Sequence, residues 1–205
     1  MADTTPTKSN LMRAQASLEL SRKAYELMDR KRNVLIREMM SRIDRAEEIQ
    51  ERIGTTFAAA YQALQMANVT MGISTVEDIA LSIPEETDFN ILLKSVMGVE
   101  IPSVRFHKEE LKPYYSFYHT NNAMDVALLN FHNVKYLILE MAEIEVSVYK
   151  LANEVKRTQK RTNALQNIQI PRYQALVKSI QDALEEKERE DFFRLKMVKK
   201  KAGQG

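Results

Sequence analysis

The most regular pattern in the chain runs from Ile144 to Leu165. Ile144, Val148, Leu151, Val155, Thr158, Thr162 and Leu165 follow one another at alternating steps of four and three. That spacing keeps one stripe of a helix facing a partner helix. The stripe is apolar as far as Val155 and then polar, and Lys156, Arg157, Lys160 and Arg161 surround its polar half. Pro171 removes a backbone donor and crowds the turn before it. The apolar pattern nevertheless resumes at Tyr173, Leu176, Ile180 and Leu184, and later at Phe192, Leu195 and Val198. A kink or short break near Pro171 is expected, not a domain boundary.

The N-terminal third carries a second, shallower stripe. Thr7, Ser9 and Asn10 are capable N-caps, and no glycine occurs after Leu11 until Gly54 and no proline until Pro84. Leu11, Leu18, Tyr25, Met28, Leu35 and Met39 recur at helical spacing, interrupted by Ser21 and Arg32. A continuous helix from about residue 8 to 70 would span roughly 95 Å, and a helix of that length needs a partner. Ile53 to Val76 holds no charged residue, which is long enough for a membrane span. Thr55, Thr56, Gln62, Gln65, Asn68, Thr70, Ser74 and Thr75 argue against one. The better reading is a helix covered by protein, with Phe57, Tyr61, Leu64 and Met66 facing a neighbouring helix or another protein chain.

Between the stripes the period changes. Val69 to Pro84 breaks the helical pattern, and Gly72 is a C-terminal helix signal. Asp88 to Phe106 reads as a small β-hairpin, with Gly98 between two apolar runs and Pro102 marking an edge strand. Lys112 to Tyr118 reads as ordered loop. Thr120, Asn121 and Asn122 then cap a second long helix through Ala123, Val126, Leu128, Leu129, Phe131, Tyr136 and Leu137.

The expected fold is mainly α: a long antiparallel two-helix coiled coil with a small β-hairpin-containing insert at one end. Its segments are an N-terminal shaft helix (1–72), the insert (73–119) and a C-terminal shaft helix (120–205). Residues whose numbers sum to about 190 should lie opposite one another if the antiparallel pairing carries little offset. Arg30, Lys31 and Arg32 then approach Lys156, Arg157, Lys160 and Arg161 in a basic collar. Like charges at one level repel, so a negative partner is inferred there.

Composition supports long exposed helices. The 205 residues include five glycines, five prolines, no tryptophan and 28% charged side chains. With no cysteine, disulfides and Cys-ligated metals are excluded. The N-terminal segment lacks the apolar core of a secretory signal. Net charge is +2 overall but is spread as +2 over residues 1–72, −7 over 73–149 and +7 over 150–205, which points to different partners for different parts. No catalytic set emerges. His107, His119 and His132 are scattered, no GxxxxGK[ST] loop occurs, and Glu185 to Asp191 is an acidic run on an exposed helix. No cofactor or metal is expected. Residue chemistry alone leaves a mechanical or scaffolding rod and a basic coiled-coil nucleic-acid binder; the absence of aromatic-basic platforms weakens the second. A trafficking coiled coil has no anchor or lipidation motif behind it.

Several runs together resemble one family. They are Thr7-Lys8, Leu11, Leu18, then Ala24-Tyr25-Glu26-Leu27-Met28-Asp29-Arg30-Lys31-Arg32-Asn33-Val34-Leu35, then Glu154-Val155-Lys156-Arg157-Thr158-Gln159-Lys160-Arg161-Thr162-Asn163-Ala164-Leu165, Ile170-Pro171 and Glu188-Arg189-Glu190-Asp191-Phe192-Phe193-Arg194-Leu195-Lys196. The chain resembles the D subunits of the V/A-type (V-type) rotary ATPases and ATP synthases. Gln159 stands where that family often has arginine, and Thr162 where it has valine. The resemblance implies a non-catalytic central-stalk rotor shaft that couples proton or sodium flow to ATP synthesis or hydrolysis. It implies a place on the cytoplasmic face of a membrane without insertion. The implied partners are the catalytic and nucleotide-binding head subunits, the F subunit of the central stalk and the funnel-shaped subunit above the membrane rotor ring, with no nucleic acid. Arg30, Lys31, Arg32, Lys156, Arg157, Lys160, Arg161, Arg189, Arg194 and Lys196 are the expected head contacts. Phe57, Tyr61, Leu64, Met66, Phe131 and Tyr136 are the expected stalk-partner contacts.

Overall fold

A computed structural model describes residues 5–83, 89–106, 115, 116, 118 and 120–202. The elements in order are α1 (Lys8–Met71), α2 (Ile73–Ser82), β1 (Phe89–Val96), β2 (Val99–Phe106), α3 (Asn122–Ala164), a π-helical turn (Leu165–Gln169) and α4 (Ile170–Ala202). The protein is mainly α, built on an antiparallel pair of long helices with a small two-stranded antiparallel insert. Contacts divide it into two units, one of residues 1–33 with 156–205, the other of residues 34–155.

The expected caps form. Thr7 Oγ1 accepts from the Asn10 amide at 3.2 Å, starting α1. Asn121 Oδ1 accepts from the Met124 amide at 3.3 Å, starting α3, and Asn121 Nδ2 donates to Thr70 Oγ1 at 2.6 Å near the end of α1. Gly72 ends α1 with φ 86°, a conformation that costs a side-chain-free residue nothing. Cross-helix pairs follow the expected register, with numbers summing to about 190: Lys8 with Glu188 and Arg32 with Gln159 in the first unit, Arg45 with Glu140 and Tyr61 with Phe131 in the second.

In the first unit the seam is buried through its polar half. Thr158 and Thr162 are each 1% exposed, and Ser21 is buried on α1. The hydroxyls of Thr162 and Ser21 cost little because each has an acceptor within its own helix: Thr162 Oγ1 donates to the Thr158 carbonyl at 2.9 Å, and Ser21 Oγ to the Ser17 carbonyl at 2.8 Å. Thr162→Val orphans nothing, since only the hydroxyl of that bond is deleted. We expect it to raise stability by about 1 kcal/mol in thermal unfolding; an equal fall would mean the hydroxyl holds the seam in place.

Ahead of Pro171, where a kink or short break is expected, the helix widens into the π-helical turn Leu165–Gln169. Proline cannot donate to the i−4 carbonyl and its ring crowds that group, and widening the preceding turn relieves both.

The second unit has two small cores. Val99 and Ile101 of β2 pack with Leu35 of α1 and Leu151 of α3, joined by Met39, Val96 and Val155. Ala67, Val76, Ile79 and Met124 form the other. The hairpin runs from Phe89 to Phe106 within the expected span, with Val96 opposite Val99 and Phe89 opposite Phe106, and Asp88 lies outside the described residues. Its two-residue turn has positive φ at Met97 (51°) and Gly98 (80°), the twist that suits a tight antiparallel hairpin. One difference from the sequence reading is α2. Val69 to Pro84 reads as a break in the helical pattern, yet α1 runs on to Met71, and in α2 Val76 and Ile79, three apart, bury one helical face on Ala67 and Met124. Burial here outweighs weak propensity. The expected loop at 112–118 lies largely outside the described residues, as do His107 and His119.

Candidate partner-binding surfaces

The collar comes together in the first unit. The Arg32 guanidinium donates across the helix pair to Gln159 Oε1 at 3.0 Å and pairs with Asp29 at 2.5 Å. Gln159 in turn donates to Asn163 Oδ1 at 2.7 Å. Arg32 is therefore a half-buried cross-tie. A neutral acceptor at position 159 suits it, because an arginine there would set two like charges together. Arg30, Lys156, Arg157, Lys160 and Arg161 are exposed, and Lys31 is partly buried. Four of these six cations lie on α3, so the outward charge is concentrated there.

Arg189, Arg194 and Lys196 lie on the later turns of α4. Arg189 pairs with Glu185 and Glu186, and Arg194 with Glu190 and Asp191, all at more than half exposure. Such pairs are weak, and local acids dilute the positive field there. What distinguishes this segment is apolar. Phe192, Phe193, Leu195, Met197 and Val198 are each more than 60% exposed. Lys8, the first residue of α1, pairs with Glu188, and beyond that level no helix among the described residues accompanies α4. A lone helical end of this length is marginal in water, and its apolar side chains mark a surface for another protein.

The second surface lies in the second unit. Phe57 stacks on Tyr61 with ring centroids 5.8 Å apart, and Tyr61 meets Phe131 edge-on at 5.7 Å. Tyr61 and Met66 remain more than half exposed. Leu64 packs inward on the Ala67 core. Tyr136 is also turned inward: it is 8% exposed, stacked on Phe106 at 4.9 Å and edge-on to His132. Of the six residues expected here, Phe57, Tyr61 and Phe131 form one aromatic group with Met66 exposed nearby on α1, and Tyr136 fastens the hairpin end to α3. Lys135 sits over the Tyr136 ring at 4.8 Å, and burial holds its ammonium below the ordinary lysine range. Tyr115, beside the Met124 core, donates to Asp125; burial first and that bond second push its phenol up to about 12.

Sequence reasoning missed Val126, Leu129 and Ile138 on α3 and Val69 and Ile73 near the α1–α2 junction, all exposed. A signal was present: from Asn122 to Leu139 the only charged residues are Asp125 and Lys135, too few for a helix solvated on its outer faces. No helix among the described residues is long and apolar enough to cross a membrane.

Comparison with known proteins agrees with this geometry. The family model for the ATP synthase D subunit matches residues 10–200. The V-type ATP synthase D subunit of Thermotoga neapolitana is 44% identical over 196 residues, covering 96% of this chain and 97% of the relative. The A-type ATP synthase D subunit of Methanopyrus kandleri is 37% identical over 201 residues, covering 97% and 87%. That of Pyrococcus furiosus is 32% identical over 197 residues, covering 95% and 92%. With the helix pair, its insert and both surfaces inside the matched span, the chain belongs to the family of ATP synthase D subunits.

Proposed function

We propose that this chain is the central-stalk rotor of a V/A-type ATPase, a non-catalytic part that couples proton or sodium flow to ATP synthesis or hydrolysis. The observation that carries this reading is the last part of α4, which leaves the helix pair and presents Phe192, Phe193, Leu195, Met197 and Val198 to solvent. A protruding apolar helix end is what a surrounding ring of head subunits would cover. The collar residues supply a polar, one-sided contact to the same ring. A rod couples rotation to chemistry only if its contacts differ at each angle, because a ligand shifts an equilibrium only through differential interaction. Charge concentrated on α3 gives the first unit such a one-sided face.

The reading places the catalytic and nucleotide-binding subunits around the first unit. It places the F subunit against the second unit at Phe57, Tyr61, Met66 and Phe131, with the funnel-shaped component also docking on that unit. The chain is then peripheral, on the cytoplasmic face of the membrane. The direct test is rotation. With the head immobilised and a bead fixed to this chain, ATP should drive unidirectional turning; an assembled, hydrolysing complex in which the bead is still would reject the rotor role.

Tyr61→Asp puts a charge into the aromatic group at an exposed position, so it should leave helicity unchanged. We expect it to weaken binding of the F subunit by about 2 kcal/mol, the scale of a central aromatic contact, read by titration calorimetry. Undiminished binding would move that site elsewhere.

A further inference from the structure

The two edges of the β-hairpin are built differently. The Val104 amide donates to Glu143 Oε2 on α3 at 2.7 Å, so it points away from β1. In an antiparallel ladder outward groups recur every second residue, and directly opposed residues share the same sense. Glu100, Pro102, Val104 and Phe106 therefore face the outer edge of β2. Their register partners Ser95, Leu93, Ile91 and Phe89 face the outer edge of β1. The β2 edge is closed: Pro102 offers no donor, Val104 is capped by Glu143, and Phe106 is stacked on Tyr136.

The β1 edge is open. None of its outward amides has a hydrogen-bond partner among the described residues. Phe89, Ile91, Leu92 and Leu93 are between 43% and 61% exposed, so apolar side chains stand out on both faces. An open, apolar edge strand invites pairing, and folded proteins protect such edges or cover them. Here the protection is confined to β2. Lys94, the one charge on β1, lies opposite Ile101 and has no ionic partner among the described residues.

We propose that the β1 edge is a docking site for an extended segment of another component of the complex. That segment adds a third strand, with apolar side chains beside Ile91 and Leu93 and a carboxylate near Lys94. Backbone pairing supplies the affinity and the side chains the selectivity. The inference rests on membership of the family and not on rotation, so a failed rotation assay leaves it standing.

Hydrogen exchange with residue resolution tests it on the isolated chain and on the assembled complex. Assembly should slow the amides of Ile91, Leu93 and Ser95 at least about 10-fold, the size of one added hydrogen bond. Leu92 and Lys94, already inside the ladder, should change less. Equal rates for the three outward amides in both samples overturn the proposal. Protection that grows with concentration of the isolated chain also overturns it, assigning the edge to a second copy. Lys94→Glu, an exposed change, should lower complex affinity about 10-fold; unchanged affinity removes the carboxylate from the partner strand.

Discussion

Leu35→Ala lowers the stability of residues 34–155 by about 3 kcal/mol, the usual cost of a cavity at a fully buried leucine. Leu35 is wholly buried between β2 and α3, where Ile101 and Leu151 are 1% and 0% exposed. A two-helix seam has few layers to share such a loss, and the hairpin over it is also held by the Val104 amide on Glu143. Leu81→Ala is the control. Leu81 is 86% exposed on α2, so its truncation should stay within about 0.5 kcal/mol. Urea unfolding followed by circular dichroism reads both. Leu35→Ala and Ile101→Ala should also be non-additive by at least about 0.5 kcal/mol, because they share one contact. Additive losses would mean that the hairpin does not rest on Leu35.

Reversing Lys156, Arg157, Lys160 and Arg161 together to glutamate weakens assembly with the head subunits by about 2–4 kcal/mol at low ionic strength. Each exposed attraction is worth up to about 1 kcal/mol, and reversal adds a comparable repulsion. The helix itself should persist, since these side chains lie outside the buried seam of Leu151, Thr158 and Thr162. Unchanged circular dichroism together with lost assembly or uncoupled hydrolysis is the expected result. Raising salt should shrink the gap between variant and wild type, as screening removes the long-range part. Retained assembly and coupling would overturn the assignment of these four residues to the head contact. Arg32 belongs to a different experiment. Tied to Asp29 and Gln159, it would test the helix pair, not the partner.

The helical seam was legible because its code is short-range. Steps of three and four bring Leu151, Thr158 and Thr162 to one face whatever surrounds them, and all three are buried. Caps are equally local: Thr7 and Asn121 reach amides three residues on. The register followed once the two long helices were paired, and the cross-helix partners of Arg32 and Tyr61 agree with it. The collar was legible in the same way. Its inward member was not: the pattern could not say that Arg32 would find an acceptor in Gln159 and cease to be a free charge.

Other features depended on distant contacts. Ile73 to Ser82 has weak helical propensity, and it becomes α2 because Ala67 and Met124 offer Val76 and Ile79 an apolar site. Tyr136 and Tyr61 look alike on their helices, yet Phe106 covers one and leaves the other exposed. The alternation of residues 89–106 announced a hairpin with Pro102 on an edge. It could not choose which strand would rest on the helices. That choice fell to the tertiary structure, through Val99 and Ile101 on Leu35 and Leu151 and through Glu143 on the Val104 amide. Periodicity, caps and charge blocks lie within a few residues of one another, so the chain alone dictates the helices, their pairing and the basic collar. Which side chains are covered depends on segments far apart in the chain, such as Val104 and Glu143, meeting in space, and no local pattern records that meeting.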